Sequence, residues 1–281
     1  MLLSASSYNT KDLYRSVTYQ DIGGISKMEK LELQLSERDY QLALRTGRLP
    51  VSVLNRAVAQ AVNSHVSSNG LVSIAREAED NGTIKTQQNW VADGNQKGVV
   101  YASSADVMAV GYANKDKTLI ESLQEDFKKR WLTTSTHNSF KKGTELADIT
   151  HYWESKVRAE KPIKGIKVPV LQGERLKSKI QDTAVLTYLK ALADKMNMTR
   201  KQAEKYVLAS LENLSGLTSD KIALWTPEQN DRDSCSERAV EFYCYVDGFH
   251  VVGGDRFDCD NGCARRVLLE TSGRSPAYRS R

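Results

Sequence analysis

Four cysteines, at positions 235, 244, 259 and 263, fall in the last fifth of the chain. They could stay as free thiols, pair into two disulfides, or hold zinc with His250 as a further donor. The spacing C-x8-C-x14-C-x3-C differs from the C-x2-C pairs of common zinc sites, and the three states are left open. The other histidines, His65, His137 and His151, are scattered, with no H-x3-H or HExxH pattern. That spacing argues against a His-based metalloprotease site. Asp255 and Asp258 beside Gly253-Gly254 read either as a metal loop or as ordinary acidic turn residues. No P-loop and no G-x-G-x-x-G occurs in the sequence.

A second group could meet phosphates. Residues 192–206 have the rhythm of a helix, a tight turn, Thr199 as N-cap and a second helix. In a helix-turn-helix, that second helix would present Arg200, Lys201 and Lys205 to the phosphates or base edges of a nucleic acid. The plainer alternative is an αα-hairpin packed through Leu189, Leu192, Val207 and Leu211. The segment also resembles the first two helices of the bacterial histone-like proteins, whose basic β-arm is not seen downstream. Between Lys156 and Lys205, thirteen Lys or Arg stand against five Asp or Glu. Such a stretch either attracts an anionic partner or solvates helix faces.

Three further patterns lie near the N-terminus: Leu13-Tyr14-Arg15 on a strand, Leu44-Arg45-Thr46-Gly47-Arg48-Leu49 closing a helix, and Gly70-Leu71-Val72-Ser73-Ile74-Ala75 entering a strand after His65. Over about the first 80 residues this order resembles the NAD-binding core of the arginine-serine-glutamate ADP-ribosyltransferase toxins, the cholera and pertussis toxin group. Their third motif reads roughly Val-Ser-Thr; here it is Val72-Ser73-Ile74. The resemblance implies that Arg15, with Tyr14 beside it, binds NAD, since a guanidinium fork suits phosphate and sugar oxygens. It implies that Ser73 supports a carboxylate, which stabilises the cation left as nicotinamide departs. The family's Glu-x-Glu or Gln-x-Glu triplet is not found. Glu237, at the head of a strand, is the chosen catalytic acid and Glu241 the next. The activity so implied is transfer of ADP-ribose from NAD to a protein target. Apart from the resemblance, Arg15 reads as an ordinary strand arginine and Ser73 as a small residue packing in a half-buried strand.

These groups need elements to hold them. Alternation marks strands at residues 12–19, 71–75, 99–102 and 239–246, with a further one at 107–112. Helices are expected over 26–45 (as two), 51–66, 118–131, 145–158, 176–196 and 199–214, with a Lys/Pro link at 161–169. Asp247-Gly248 signals a type I′ hairpin into 249–252, Gly253-Gly254 a turn, and Asp260-Asn261-Gly262 another hairpin before 264–269. The fold class expected is α+β, a small mixed or antiparallel sheet from the two ends with a large helical block between. The divisions are 1–112, 113–226, 227–271 and a loose tail, 272–281.

The chain's 281 residues, 40% of them hydrophobic, can bury one large core or two smaller ones. No run approaches the ~18–20 apolar residues of a membrane span, and the start, residues 1–8, lacks a basic region followed by an apolar one. The expectation is a cytoplasmic protein, or one exported without a cleaved Sec signal. A structural or adaptor role is the third functional alternative.

Overall fold

The computed structural model describes residues 14–19, 31–36, 48–50, 72–76, 78–79, 85–153, 162–234, 237–256 and 260–270; side chains are described over 74–76, 78–79, 86–153, 162–233, 237–254 and 262–267. The strands are β1 (Tyr14–Tyr19), β2 (Leu31–Ser36), β3 (Arg48–Pro50), β4 (Val72–Ile74), β5 (Lys85–Thr86), β6 (Leu132–Phe140), β7 (Leu146–Thr150), β8 (Ile163–Lys167), β9 (Gln172–Arg175), β10 (Ile222–Trp225), β11 (Glu237–Tyr245), β12 (Gly248–Arg256), β13 (Asp260–Asn261) and β14 (Val267–Glu270). The helices are α1 (Gln87–Lys97), α2 (Ser104–Ala113), α3 (Lys117–Lys129), α4 (Leu176–Lys179), α5 (Thr183–Leu192), α6 (Arg200–Ser215) and α7 (Gln229–Ser234).

Seven strands form the main sheet in the order β8-β7-β6-β11-β12-β10-β9. All its neighbours are antiparallel except β10 and β12. The class is α+β with a mixed sheet. The central stretch, 113–226, read as a helical block, supplies five of those seven strands as well as four helices. Residues 145–158, expected as a helix, begin with β7, where Ala147 and Ile149 are buried between less buried neighbours. The 161–169 link contains β8.

Other expectations are corrected for local reasons. The first helix read over 26–45 contains β2 instead, because Leu31, Leu33 and Leu35 alternate and pair with Tyr19, Val17 and Arg15. Residues 107–112 lie in α2, started by a reciprocal capping box between Ser103 and Asp106. The single helix read over 176–196 is cut by Asp182, which caps α5 through the Ala184 and Val185 amides. Residues 99–102 form no strand; Tyr101 makes one bridge, to Arg266. Gly253 and Gly254 do not turn but continue β12, and a Cβ on Gly253 would lie 1.9 Å from the Tyr188 hydroxyl. Asp260 and Asn261 pair with β5 rather than opening a hairpin. The helix expected at 51–66 lies outside the described residues. Among the described residues no helix is long and apolar enough to cross a membrane.

One sheet face packs against α3, where Phe127, Phe242 and Phe249 are all buried and their centroids lie 5.0–6.5 Å apart. Helices α2 and α6 meet so closely that a Cβ on Gly111 would sit 2.4 Å from the Ser210 carbonyl oxygen.

The central strand β6 is buried yet polar. Thr134 donates to the Val240 carbonyl at 2.7 Å and Ser135 to that of Tyr101 at 2.9 Å. His151 donates from Nε2 to the Ala191 carbonyl at 3.0 Å, so its Nδ1 accepts from the Thr136 hydroxyl at 2.9 Å. Asn138 donates to Tyr188 and to Gly253. Buried polar groups persist when they are bonded in this way, and β6 thereby locks two sheet neighbours and α5 together.

Candidate nucleic-acid interface

On the face opposite Phe242 and Phe249, four rings stand in a row across adjacent chains of the sheet. Register places Tyr243 opposite His250. Trp225 arrives on β10, which runs beside β12, and Trp131 immediately precedes β6. Strands lie about 4.8 Å apart, and the centroid distances follow that spacing. They are 4.0 Å for Trp131–Tyr243, 4.7 Å for Tyr243–His250 and 5.9 Å for His250–Trp225. Trp131 stacks on Tyr243 at 14° and His250 on Trp225 at 11°.

His250 is buried and anchors the row. The Trp225 indole N–H donates to its Nδ1 at 2.9 Å, and Nε2–H donates to Asp247 Oδ1 at 2.8 Å. Because an indole N–H can only donate, the imidazole proton sits on Nε2. The His250 hydrogen bond, with weaker help from Arg175, holds the Asp247 carboxyl below the usual carboxylate range.

The hairpin expected at Asp247-Gly248 forms, but its two loop residues are Val246 and Asp247, with Gly248 opposite Tyr245. Neither loop residue has a positive φ, so the turn is not type I′. Gly248 has φ 148°, and a Cβ there would lie 2.0 Å from the Lys221 carbonyl oxygen. The tip exposes Tyr245 at 69% and Val246 at 96%.

Cations flank this tip on both sides. The Lys128 charge reaches Cys244, opposing the burial that raises its thiol. Lys129 and Arg130 follow at the end of α3. On the other side Arg175 reaches Asp247 at 3.4 Å, and Lys177 and Lys221 both act on Asp220. Glu125 pairs with Lys128 and Lys129, but all three are well exposed, and such pairs bind weakly in water.

The residues singled out in the sequence stand on several elements. Arg15 stands opposite Leu35 on β1, Tyr14 opposite Ser36, and Ser73 opposite Leu268 on β4; their side chains lie outside the described residues. Glu237 opens β11 and is half-buried, while Glu241 is fully buried and accepts from Thr133 Oγ1 at 3.3 Å. Arg200 is turned onto α5, donating to the Gln181 carbonyl and to Thr183 Oγ1 at 3.3 Å. Lys201 and Lys205 are exposed on α6. Leu189, Leu192, Val207 and Leu211 are all buried, as the αα-hairpin reading requires.

Cys244 and Cys263 are free thiols; Cys235, Cys259 and His65 lie outside the described residues. Burial and the nearby Asp126 carboxylate push the Cys263 thiol up to about 12. Among the described residues no three His, Cys, Asp or Glu side chains are grouped to hold a metal. Both ring nitrogens of His250, the further donor that a zinc site would need, are already engaged by Trp225 and Asp247.

The aromatic row was not foreseen. Tyr243 and Tyr245 alternate along one strand, a signal present in the sequence, but Trp131 and Trp225 come from distant segments. Comparison with protein-family models, with curated proteins and with solved structures returned no match.

Proposed function

We propose that this chain binds single-stranded nucleic acid at the hairpin end of its main sheet. Lys128, Lys129, Arg175, Lys177 and Lys221 would track the phosphates, while the exposed Tyr245 ring and the Trp131 end of the row accept bases by stacking. The observation that carries this reading is the exposed aromatic tip bordered by cations on both sides. Stacking on aromatic rings beside a basic track suits any sequence, because every base has a π-face.

The test is fluorescence anisotropy with labelled oligo-dT and oligo-rU of about 16 nucleotides, at several salt concentrations. Binding should weaken as salt rises, and Tyr245→Ala should reduce affinity at every salt concentration. Absence of binding at low salt, or binding indifferent to Tyr245→Ala, would overturn the proposal.

A second reading, ADP-ribosyl transfer from NAD to a protein target, rests on Glu237, half-buried at the head of a central strand. Labelled NAD incubated with the protein and cell lysate tests it. Label should enter a protein band and be lost with Arg15→Lys and Glu237→Gln; labelling that survives both changes, or none at all, rejects it.

A further inference from the structure

Two arginines lie inside the fold without a carboxylate partner among the described residues. Arg232, on α7, is fully buried. Its Nη1 donates to the Val168 carbonyl at 2.9 Å and its Nη2 to that of Pro169 at 3.3 Å, and its guanidinium lies 4.7 Å from the centroid of the Phe140 ring. Arg238, near the start of β11, is 2% exposed and donates to the carbonyls of Glu237 at 2.9 Å and Asp231 at 2.7 Å. In both, the Nε–H is buried and has no hydrogen-bond partner. The two charges are near enough that Arg238 disfavours the charged form of Arg232, adding to the effect of burial.

Carbonyl oxygens and an aromatic face soften a buried cation but do not neutralise it. A buried charge is ordinarily paired, and two like charges side by side raise the cost. Arg265 shows how this same chain treats a buried guanidinium it intends to neutralise. That side chain meets Asp126 through both Nε and Nη2, with four further bonds to Ala75, Arg76 and Ser122. The carboxylate charge acting on Arg232 is that of Glu145, which is itself half exposed and paired with Lys167.

Opposite Arg238 in the sheet stands Asn138, whose Nδ2 is spent on Tyr188 and Gly253. Its Oδ1 is buried without a donor. Directly paired residues share a sheet face, so an unused acceptor and an unused guanidinium Nε–H belong to residues facing the same side of adjacent strands. A protonated oxyanion supplies what both lack: negative oxygens for the Nε–H groups and one O–H for Asn138.

From this we infer that Arg232 and Arg238 form an interior site for a phosphate-type oxyanion, with Asn138 accepting from its hydroxyl. The site is separate from the hairpin tip. Six residues of β11 lie between Arg238 and Tyr245, a separation of roughly 23 Å along the strand.

The probe is inorganic phosphate, added to the full chain against chloride at equal ionic strength and pH, with thermal melting as readout. Phosphate should raise the midpoint by about 2–4 °C at saturating concentration. Arg238→Lys keeps a cation but removes the fork, and should abolish that rise; Tyr245→Ala should leave it intact. Should Arg238→Lys fail to fold, equilibrium dialysis of labelled phosphate on a Lys128→Glu, Lys221→Glu double variant, in which the hairpin-tip cations are reversed, decides instead. Saturable retention supports the site. Equal melting in phosphate and chloride, or no retention, leaves the two arginines as carbonyl staples and overturns the inference.

Discussion

Trp225 donates its indole N–H to Nδ1 of His250 while stacking near it at 5.9 Å and 11°. One ring therefore fixes both the orientation and the tautomer of the other, and the proton left on Nε2 is directed to Asp247. The bond crosses from β10 to β12, the parallel pair of the sheet. A surface aromatic is thus held by a buried histidine.

This relay makes Asp247 sensitive to acid. Its carboxyl is held below the ordinary value in the fold, so its contribution is present above the unfolded value. That contribution is lost as pH falls through the lower folded one. Tryptophan fluorescence should change in that acid window, and Asp247→Asn should remove the change. A profile unaltered by the substitution would exclude the relay as its source.

His137 predicts a second pH effect of larger size. Burial lowers it from 6.5 to about 4, and its ring stacks on Trp153 at 4.9 Å. Between those values the unfolded chain binds the proton and the folded chain does not, so stability should rise with pH across the interval. The limit is on the order of 3 kcal/mol. Urea unfolding at several pH values measures it, and His137→Gln should flatten the slope.

Arg265 joins the segment before β14 to α3 and to the chain after β4. Replacing it with Met leaves Asp126 only its 3.3 Å contact with Arg130 as an ion pair among the described residues. We expect a loss of about 3–5 kcal/mol by chemical denaturation. Adding Asp126→Asn should return part of it, because the stranded charge is gone. No recovery in the double variant would mean that the carbonyl contacts matter more than the pair.

Gly111→Ala should force α2 and α6 apart, since the added carbon meets the Ser210 carbonyl oxygen and Leu214. A cost of about 1–3 kcal/mol is expected from overpacking, even though alanine favours a helix more than glycine does. An unchanged urea midpoint would show that the two helices can separate freely.

For the proposed interface, Lys128→Glu and Lys221→Glu should each weaken oligonucleotide binding and lower the steepness of its salt dependence by about one unit. Lys201→Glu, on α6, serves as the control and should do neither. Loss with Lys201→Glu instead would move the interface to the helical hairpin.

Local chemistry alone settled the elements whose signals are short-range. Thr199 with Gln202 starts α6 and Gly216 ends it, the leucine and phenylalanine stripe of 117–129 makes α3, and the β11–β12 turn falls one residue before the Asp247-Gly248 pair that signalled it, at Val246 and Asp247. The α+β class followed from those same patterns. What the sequence could not disclose is β6, because Thr133 to Asn138 is polar throughout and carries no hydrophobic alternation. Its burial is possible only after Val240, Tyr101, His151 and Tyr188 arrive from elsewhere to satisfy it. The aromatic row and the arginine pair have the same origin. Trp131, Tyr243, His250 and Trp225 become neighbours through strand order, and the buried state of Arg232 and Arg238 depends on the carbonyls of Val168, Pro169, Asp231 and Glu237 being brought to them. Hydrogen-bond satisfaction and stacking between distant segments are properties of the assembled sheet, and no window of residues contains them.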